Sequence, residues 1–364
     1  MKNLFVGLFS FFIIAAGFTA CNDDDNGSNP GSDSTTSGCF IFSYGLSNDG
    51  GNASIYQYDY ENDSLISNVY KSKNKLELNL NLEGVCEYDQ SVYLVGNSSD
   101  QLITLDKNLI QNYNGVTDSI ANPRECVGNG DYVYVSCWGS NPDYGAMAGS
   151  YIAVYNIKNM QVERKISLPG GPEGVEVADG KLYAGLNYKD SIAVINLSDY
   201  AISYIPTPAV CSSMLKDNSG NLYVAMVSTY SDPSDDAGLG YVNTSTDKLT
   251  TYALANVSSE YADIMAINAT GTRLYLIAAS YDENYHLSGA VRVFDTENQS
   301  FEATPLISDI TAPEGVGVNP DNDDVYLLTA PTTSTNGYLT VYSSAGVQQK
   351  QYKVGIYPTR MIFK

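Results

Sequence analysis

The loops of this chain hold the residues that are best suited to bind a ligand. The single tryptophan and several tyrosines occur in stretches rich in Asn, Ser and Gly. Aromatic rings with polar tips, next to amide and hydroxyl groups, suit a large amphipathic ligand with an apolar face and polar edges. We predict binding residues at Trp138, Tyr188, Tyr230, Tyr281 and Tyr285, with Tyr44 and Tyr144 as further aromatic candidates. The alternative is that these loops only pack on one another.

A second set of candidates carries charge at positions that recur along the chain. Arg124 and Arg360 stand at the start of repeated segments in which Glu173 and Glu314 also occur. A repeat position that changes charge from copy to copy is unlike a purely structural one, so we predict that these four residues contact the ligand. The alternative is that the arginines pair with the glutamates and hold the repeats together.

The elements that must position these residues come from a repeat of 40 to 50 residues. Segments such as Pro172–Val175 and Pro313–Val316 each precede a second strand that ends in a tyrosine. Alternating apolar and polar residues with turns such as Asp179-Gly180 predict short antiparallel strands. Repeats of this length predict an all-β propeller, since one small sheet cannot bury both faces alone. Six repeats contain this tyrosine at the end of the second strand: Tyr93, Tyr134, Tyr183, Tyr223, Tyr275 and Tyr326.

A seventh repeat is split between the two ends of the propeller. The segment Pro358–Met361 begins a repeat that supplies one strand, and the missing strands are found at Cys39–Ser43, Ser54–Tyr58 and Leu65–Tyr70. Joining the last strand to these three closes a ring and removes free sheet edges. We therefore predict one domain, a seven-bladed β-propeller of four-stranded blades over residues 39–364. The sequence shows no helical periodicity of useful length after residue 20.

The first 38 residues have the composition of an export segment and a tether. Residues 1–20 contain Lys2, an apolar run and small residues directly before Cys21, which predicts a signal peptide. The small residues before Cys21 resemble a bacterial lipobox, which implies that Cys21 is lipidated and anchors the chain to a membrane. Residues 22–38 are rich in Asp, Asn, Gly and Ser and predict a flexible tether.

Composition narrows the choice of partner. The chain has 41 acidic and 19 basic residues, a net charge of -22. This charge argues against nucleic acid as a partner and favours a neutral or cationic ligand. After Cys21 there are five cysteines, Cys39, Cys86, Cys126, Cys137 and Cys211, without metal-ligand spacing. An odd number leaves at least one unpaired, and we interpret them mainly as buried apolar residues.

The repeated P-x-G-V-x-V, Asp-Gly and Leu-Tyr pattern resembles the YVTN and YncE-type propellers over the whole chain from residue 39. With the lipobox, the acidic tract Asn22–Asp25 and the many tyrosines, the chain also resembles the BtuG group of Bacteroidetes surface lipoproteins. This resemblance implies an outer-membrane protein, facing the cell exterior, that captures cobalamin (vitamin B12) or related corrinoids. It implies delivery of the ligand to a TonB-dependent transporter.

Two other functions fit the same residues. One is a glycan-binding accessory lipoprotein, since sugar faces also stack on Trp and Tyr. The other is a metal-dependent lactonase or hydrolase, in which Glu83, Glu173, Asp263 and Glu314 would hold a divalent ion. The only histidine, His286, has no nucleophile context. We therefore expect a binding protein without catalytic residues, resident metal or cofactor.

Overall fold

The computed structural model describes residues 37–46, 51–229, 234–258 and 263–364. The described part of the chain begins with three strands, β1 (Gly38–Ser43), β2 (Ser54–Asp59) and β3 (Ser64–Ile66). A short helix, α1 (Val69–Asn74), follows them. Among the described residues no helix is long and apolar enough to cross a membrane.

Six further antiparallel sheets follow along the chain, which we number as blades 1 to 6. Blade 1 contains β4 (Leu82–Tyr88), β5 (Ser91–Gly96) and β6 (Gln101–Asp106). Blade 2 contains β7 (Pro123–Asn129), β8 (Tyr132–Cys137), β9 (Tyr151–Asn156) and β10 (Gln161–Ser167). Blade 3 contains β11 (Pro172–Ala178), β12 (Lys181–Leu186), β13 (Ser191–Asn196) and β14 (Ile202–Pro206).

The second half of the ring follows the same plan. Blade 4 contains β15 (Val210–Lys216), β16 (Leu222–Val227), β17 (Gly238–Asn243) and β18 (Lys248–Ala253). Blade 5 contains β19 (Met265–Ile267), β20 (Arg273–Tyr281), β21 (Leu287–Asp295), β22 (Ser300–Phe301) and β23 (Ile307–Thr311). Blade 6 contains β24 (Pro313–Val318), β25 (Val325–Thr329), β26 (Asn336–Tyr342) and β27 (Gln348–Ile356), and β28 (Pro358–Phe363) comes last.

The last strand closes the ring as predicted. β28 pairs with β1, in the order β28-β1-β2-β3, so blade 7 is built from both ends of the propeller. The ladder runs from Cys39 opposite Phe363 to Phe42 opposite Arg360. The predicted seven-bladed β-propeller is confirmed, and residues 38–364 contain all of its strands.

The core lies within and between the blades. The six repeated tyrosines are all buried, although each lies within its second strand and not at its end. The turn at Asp179-Gly180 has φ values of 49° and 71°, as expected for a type I′ hairpin turn. Repetition of one apolar pattern therefore gives each blade the same packing layer. Four of the five described cysteines are buried and Cys86 is partly buried, and all five are free thiols.

Three local predictions differ from the structure. The strand predicted over Leu65–Tyr70 ends at Ile66, because Asn68 adopts a left-handed conformation and α1 begins after it. The helix is held by tertiary contacts: Val69 and Tyr70 are buried, and Asn74 Nδ2 donates a 2.9 Å hydrogen bond to Leu109 O. In blade 1 the outer position is filled by isolated bridges from 111 and 116 to β6, and in blade 5 by two short strands.

Candidate functional site

The start of each innermost strand supplies one side chain to the mouth of the central channel. These side chains occupy the second position of the repeated four-residue segment, and all except the partly exposed Asp263 are buried. Since the innermost strands of a propeller surround its axis, the seven residues form a ring. The ring consists of Glu83, Arg124, Glu173, Ser212, Asp263, Glu314 and Thr359.

Arg124 is the cation on one side of this ring. Its Nε and Nη2 donate hydrogen bonds to the Glu173 carboxylate at 2.9 to 3.1 Å. The same Nη2 lies 2.7 Å from Glu83 Oε1, and all three side chains are at least nine-tenths buried. One guanidinium thus joins the innermost strands of blades 1, 2 and 3 through bidentate, charge-assisted hydrogen bonds.

Arg360 joins the ring from blade 7. Its Nη1 lies 2.9 Å from Glu125 Oε2 and also contacts the Asp263 carboxylate. Its Nε donates a 3.0 Å hydrogen bond to the backbone oxygen of Glu83. These contacts correspond to the alternative in which the ring charges pair with one another. Direct ligand contact by Arg124, Glu173, Glu314 or Arg360 stays a prediction; Glu314 lies buried at the position equivalent to Glu173.

Burial raises the pKa of two carboxyls at the channel mouth, and neighbouring acidic groups add to this rise. Burial raises the pKa of Glu83 to about 7, although Arg124 acts to lower it, and the nearby Glu173 raises it further. Burial likewise raises the pKa of Glu125 to about 7 against the effect of Arg360, with Asp263 adding to the rise. Desolvation therefore outweighs the ion pairs at these two positions.

Trp138 lies directly beside the charged ring, in the β8–β9 loop of blade 2. The guanidinium carbon of Arg124 is 4.2 Å from the centroid of its ring, within cation–π distance. Tyr188 makes an edge contact with Trp138 at 5.5 Å and Tyr144 at 6.5 Å between centroids. Trp138 is buried, whereas the Tyr144 side chain is 63% exposed and faces solvent. The loop is held by Asp143, which accepts backbone hydrogen bonds from Met147 and Ala148.

The repeats show how blade 2 accommodates this tryptophan. In blade 1, Asn97 Nδ2 donates to Pro123 O at 3.1 Å, and in blade 3, Asn187 Nδ2 donates to Cys211 O at 3.2 Å. Trp138 occupies the equivalent position and its Nε1 donates to Pro172 O at 3.2 Å. In each case the residue that follows the second strand of one blade donates a hydrogen bond to the first strand of the next blade. Trp138 thus keeps the inter-blade hydrogen bond and adds an aromatic ring at the channel mouth.

Two further tyrosines lie on the other side of Glu83. Tyr44, in the β1–β2 loop, makes an edge contact with Tyr357 at 5.7 Å. Burial raises the pKa of Tyr44 to about 12, with Glu83 raising it and Arg124 lowering it, which places its hydroxyl close to both charges. We call Tyr44, Trp138, Tyr144, Tyr188 and Tyr357 the aromatic arc. It flanks blade 1, whose own β5–β6 loop is short.

Sequence reasoning missed Tyr357, but the repeats hold a signal for it. The residue before the repeated proline adopts a positive φ in four repeats, at Asn122 (45°), Gly171 (66°), Ala312 (49°) and Tyr357 (54°). Glycine adopts this left-handed conformation without strain, whereas a tyrosine there is uncommon. Tyr357 is the bulkiest residue at this position in the four repeats, which makes its side chain a candidate for a function.

The remaining predicted residues lie elsewhere. Tyr281 and Tyr285 are 52% and 73% exposed, at the tip of the long β20–β21 hairpin of blade 5. His286 lies in the same tip with its Nδ1 3.3 Å from Asp282 Oδ2. Tyr230 lies outside the described residues. The structure therefore brings together Arg124, Glu173, Trp138 and Tyr188, and places Tyr281 and Tyr285 on a separate hairpin.

A cavity of about 480 Å³ lies among the innermost strands next to the ring. Its lining includes Asp263 from the ring, Glu125 directly after the ring residue Arg124, and Cys86 and Cys126 from blades 1 and 2. Over the part of the chain that the structure describes, no three His, Cys, Asp or Glu side chains are grouped so as to hold a metal ion.

Fold and site together define a seven-bladed β-propeller with a buried ring of ion pairs at its channel mouth and an aromatic arc beside that ring. Residues 37–364 match the family described as "Domain of unknown function (DUF5074)", and the chain belongs to this family. No curated protein matches the chain.

Solved structures with the same fold have very different sequences. A quinonprotein alcohol dehydrogenase-like protein from Bacteroides thetaiotaomicron is 14% identical, with a TM-score of 0.67 over 90% of this chain and 78% of that one. A putative 6-phosphogluconolactonase from Bacteroides fragilis is 13% identical, with a TM-score of 0.64 over 92% and 99%. Virginiamycin B lyase from Staphylococcus aureus is 15% identical, with a TM-score of 0.54 over 81% and 92%. These similarities establish the propeller fold alone.

Proposed function

We propose that this protein is a cell-surface binding protein that captures cobalamin or a related corrinoid at the channel mouth. The aromatic arc is the observation that carries the proposal. Its residues come from the loops of blades 2, 3 and 7 and lie on both sides of blade 1. Rigid aromatic side chains next to polar groups supply large contact area at low conformational entropy cost.

A corrin ring matches this surface chemically. It has a broad apolar face for stacking and a fringe of carboxamides for hydrogen bonds with tyrosine hydroxyls and backbone groups. The chain carries a net charge of -22, which disfavours polyanionic ligands more than a neutral corrinoid. The interior of the mouth is already occupied by Arg124 and its carboxylates. The ligand would therefore lie on the aromatic arc and above the charged ring.

Lipidation of Cys21, an outer-membrane location facing the exterior and delivery to a TonB-dependent transporter complete the proposal. They rest on the N-terminal residues and the resemblance to the BtuG group. All of these N-terminal residues lie outside the described part of the chain.

The proposal is tested by mixing residues 37–364 with excess cyanocobalamin and following visible absorbance and protein through gel filtration. Coelution of the corrinoid with the protein is expected. Because Trp138 is the only tryptophan, quenching of its fluorescence reports whether the ligand binds at the arc. Elution of the protein without visible absorbance would refute cobalamin capture. Binding on a glycan array would then favour the carbohydrate-binding function.

Trp138→Asn is the variant of choice, because Asn97 and Asn187 already make the same inter-blade hydrogen bond. The aromatic ring is removed while the donor is retained. Loss of a central tryptophan is expected to weaken binding by about 2 kcal/mol or more, roughly 30-fold. Tyr113→Ser, at an exposed tyrosine outside the arc, is the matched control and should bind as the unmodified protein does. Equal binding by the Trp138→Asn protein would place the ligand elsewhere.

A further inference from the structure

Two of the cysteines lie on the innermost strands of adjacent blades and line the same cavity. Cys86 belongs to β4 of blade 1 and Cys126 to β7 of blade 2. Both contribute to the lining of the 480 Å³ cavity beside the charged ring. The proposed ligand site contains neither cysteine, so the pair is available for a separate function.

β4 and β7 are in close contact on both sides of this pair. On one side, a Cβ atom on Gly84 would lie 3.0 Å from Glu125 Cα. On the other side, a Cβ atom on Gly128 would overlap the Tyr88 ring. Cys86 and Cys126 fall between these two contacts. A disulfide needs a Cα separation of about 4.4 to 6.8 Å, which requires two strands in close contact, as β4 and β7 are here.

The two side chains also pack in the same apolar region. Cys86 is the direct partner of Tyr93 in the β4–β5 ladder. Cys126 Sγ lies 4.0 Å from Tyr93 O, and Cys126 belongs to the same apolar cluster as Tyr93 and Val133, against which Cys86 also packs. Burial raises the pKa of the Cys126 thiol. The two thiols therefore lie in one cluster at the interface of blades 1 and 2.

We propose that Cys86 and Cys126 form a reversible disulfide that links the innermost strands of blades 1 and 2 across the channel wall. The reaction is thiol–disulfide exchange with a small disulfide oxidant. The Cys86 thiolate attacks one oxidant sulfur and forms a mixed disulfide, and the first oxidant thiol leaves. The Cys126 thiolate then attacks Cys86 Sγ and releases the second oxidant thiol. Two protein thiols are oxidised, and one oxidant disulfide is reduced to two thiols.

The surroundings determine which cysteine reacts first and which oxidants enter. Cys86 is partly buried and accessible from the cavity, whereas Cys126 is 4% exposed. Exchange begins at an accessible thiolate, so Cys86 is the attacking residue and Cys126 the resolving one. The cavity is lined by four carboxyl groups and one amine, and this acidic excess favours a cationic oxidant. These residues are Glu87, Glu125, Glu176, Asp263 and Lys216. Cystamine, a small dicationic disulfide, is therefore the probe.

The test exposes folded residues 37–364 to cystamine, alkylates the remaining thiols and maps the peptides by mass spectrometry. The expected product has Cys86 linked to Cys126 and three alkylated cysteines. Dithiothreitol should restore all five thiols. Five alkylated thiols after cystamine treatment, a link that involves another cysteine, or a mixed disulfide that persists at Cys86 would overturn the proposal.

Variants separate the two roles. Cys126→Ser removes the resolving thiol, so Cys86 should accumulate one cysteamine as a stable mixed disulfide. Cys86→Ser should leave Cys126 unmodified in the folded protein. Cys211→Ser, at a fully buried thiol of blade 4, is the matched control and should form the Cys86–Cys126 link as before. Modification of Cys126 in the Cys86→Ser protein would contradict the assigned order.

Discussion

Replacing the buried Glu83 by glutamine should make the protein more stable at neutral and alkaline pH, although an ion pair with Arg124 is lost. Burial raises the pKa of Glu83 from 4.5 to about 7. The folded state therefore holds this proton more tightly than the unfolded chain does, by about 3 kcal/mol. Arg124 keeps its bidentate contact with Glu173 in the variant.

The sign of the pH dependence follows from the raised pKa. Below pH 4.5 the carboxyl is protonated in both states, and the favourable contribution is fully present. Between pH 4.5 and about 7 the unfolded chain loses the proton while the folded protein keeps it, so stability falls as the pH rises. Glutamine resembles the protonated carboxyl at every pH. The Glu83→Gln protein should exceed the unmodified protein by less than about 1 kcal/mol at pH 5 and by about 3 kcal/mol at pH 8.

The assay is urea unfolding followed by Trp138 fluorescence between pH 5 and 8, with free energies extrapolated to zero denaturant. Other titrating groups contribute similarly to both proteins, so the difference between the two profiles isolates Glu83. Glu297→Gln, at an exposed glutamate, is the control and should leave the profile unchanged. Parallel profiles for the Glu83→Gln and unmodified proteins would refute the reasoning, and so would a lower stability of the variant at pH 8.

Three further predictions concern other parts of the propeller. Tyr357→Gly removes an aromatic ring at a left-handed position, so cyanocobalamin binding should weaken while the midpoint of thermal unfolding stays the same or rises. A binding titration and a thermal melt measure these two effects. Unchanged affinity would exclude Tyr357 from the site. Hydrogen bonds from Lys350, Tyr58 and Tyr352 lower the pKa of Asp63 to about 2, so this carboxylate stabilises the fold above pH 3.8 and the benefit is lost as the pH falls through 2. Asp63→Asn should lower the urea midpoint at pH 7 but not at pH 2, and a constant difference would argue against the pKa effect. A chain that stops before Pro358 lacks the ring-closing strand and should form large species in gel filtration, whereas soluble monomer would contradict the need for closure.

Most of the architecture could be predicted because the same pattern recurs in each blade. The Pro172 and Pro313 segments define where innermost strands begin, and the incomplete repeat at Pro358 predicts its partner strands at the other end of the propeller. The features that could not be predicted from the sequence are local, and they depend on tertiary contacts. The helix at Val69–Asn74 forms because Asn74 and Tyr70 contact residues that are 35 and 41 positions away. No local pattern contains that information.

The candidate site was predictable in residue type but not in arrangement. Trp138 and Tyr188 were identified as loop aromatics, and the structure brings them together. The sequence left open whether Arg124 faces a ligand or a carboxylate, because the repeat pattern does not specify where the guanidinium points at the start of its strand. The structure gives the carboxylate contacts, with Glu83 and Glu173 on either side.

Closure by β28 also has a mechanical consequence. Gly38 and Lys364 exchange backbone hydrogen bonds in both directions, and β1 is paired with β2 on one side and with β28 on the other. Force applied to the chain ahead of Gly38 therefore enters a strand that two ladders hold at once. Pulling along β1 loads the bonds of both ladders in shear, so they must break together and not one after another. If the protein is held by that end, hydrodynamic drag acts on the same backbone hydrogen bonds that close its ring.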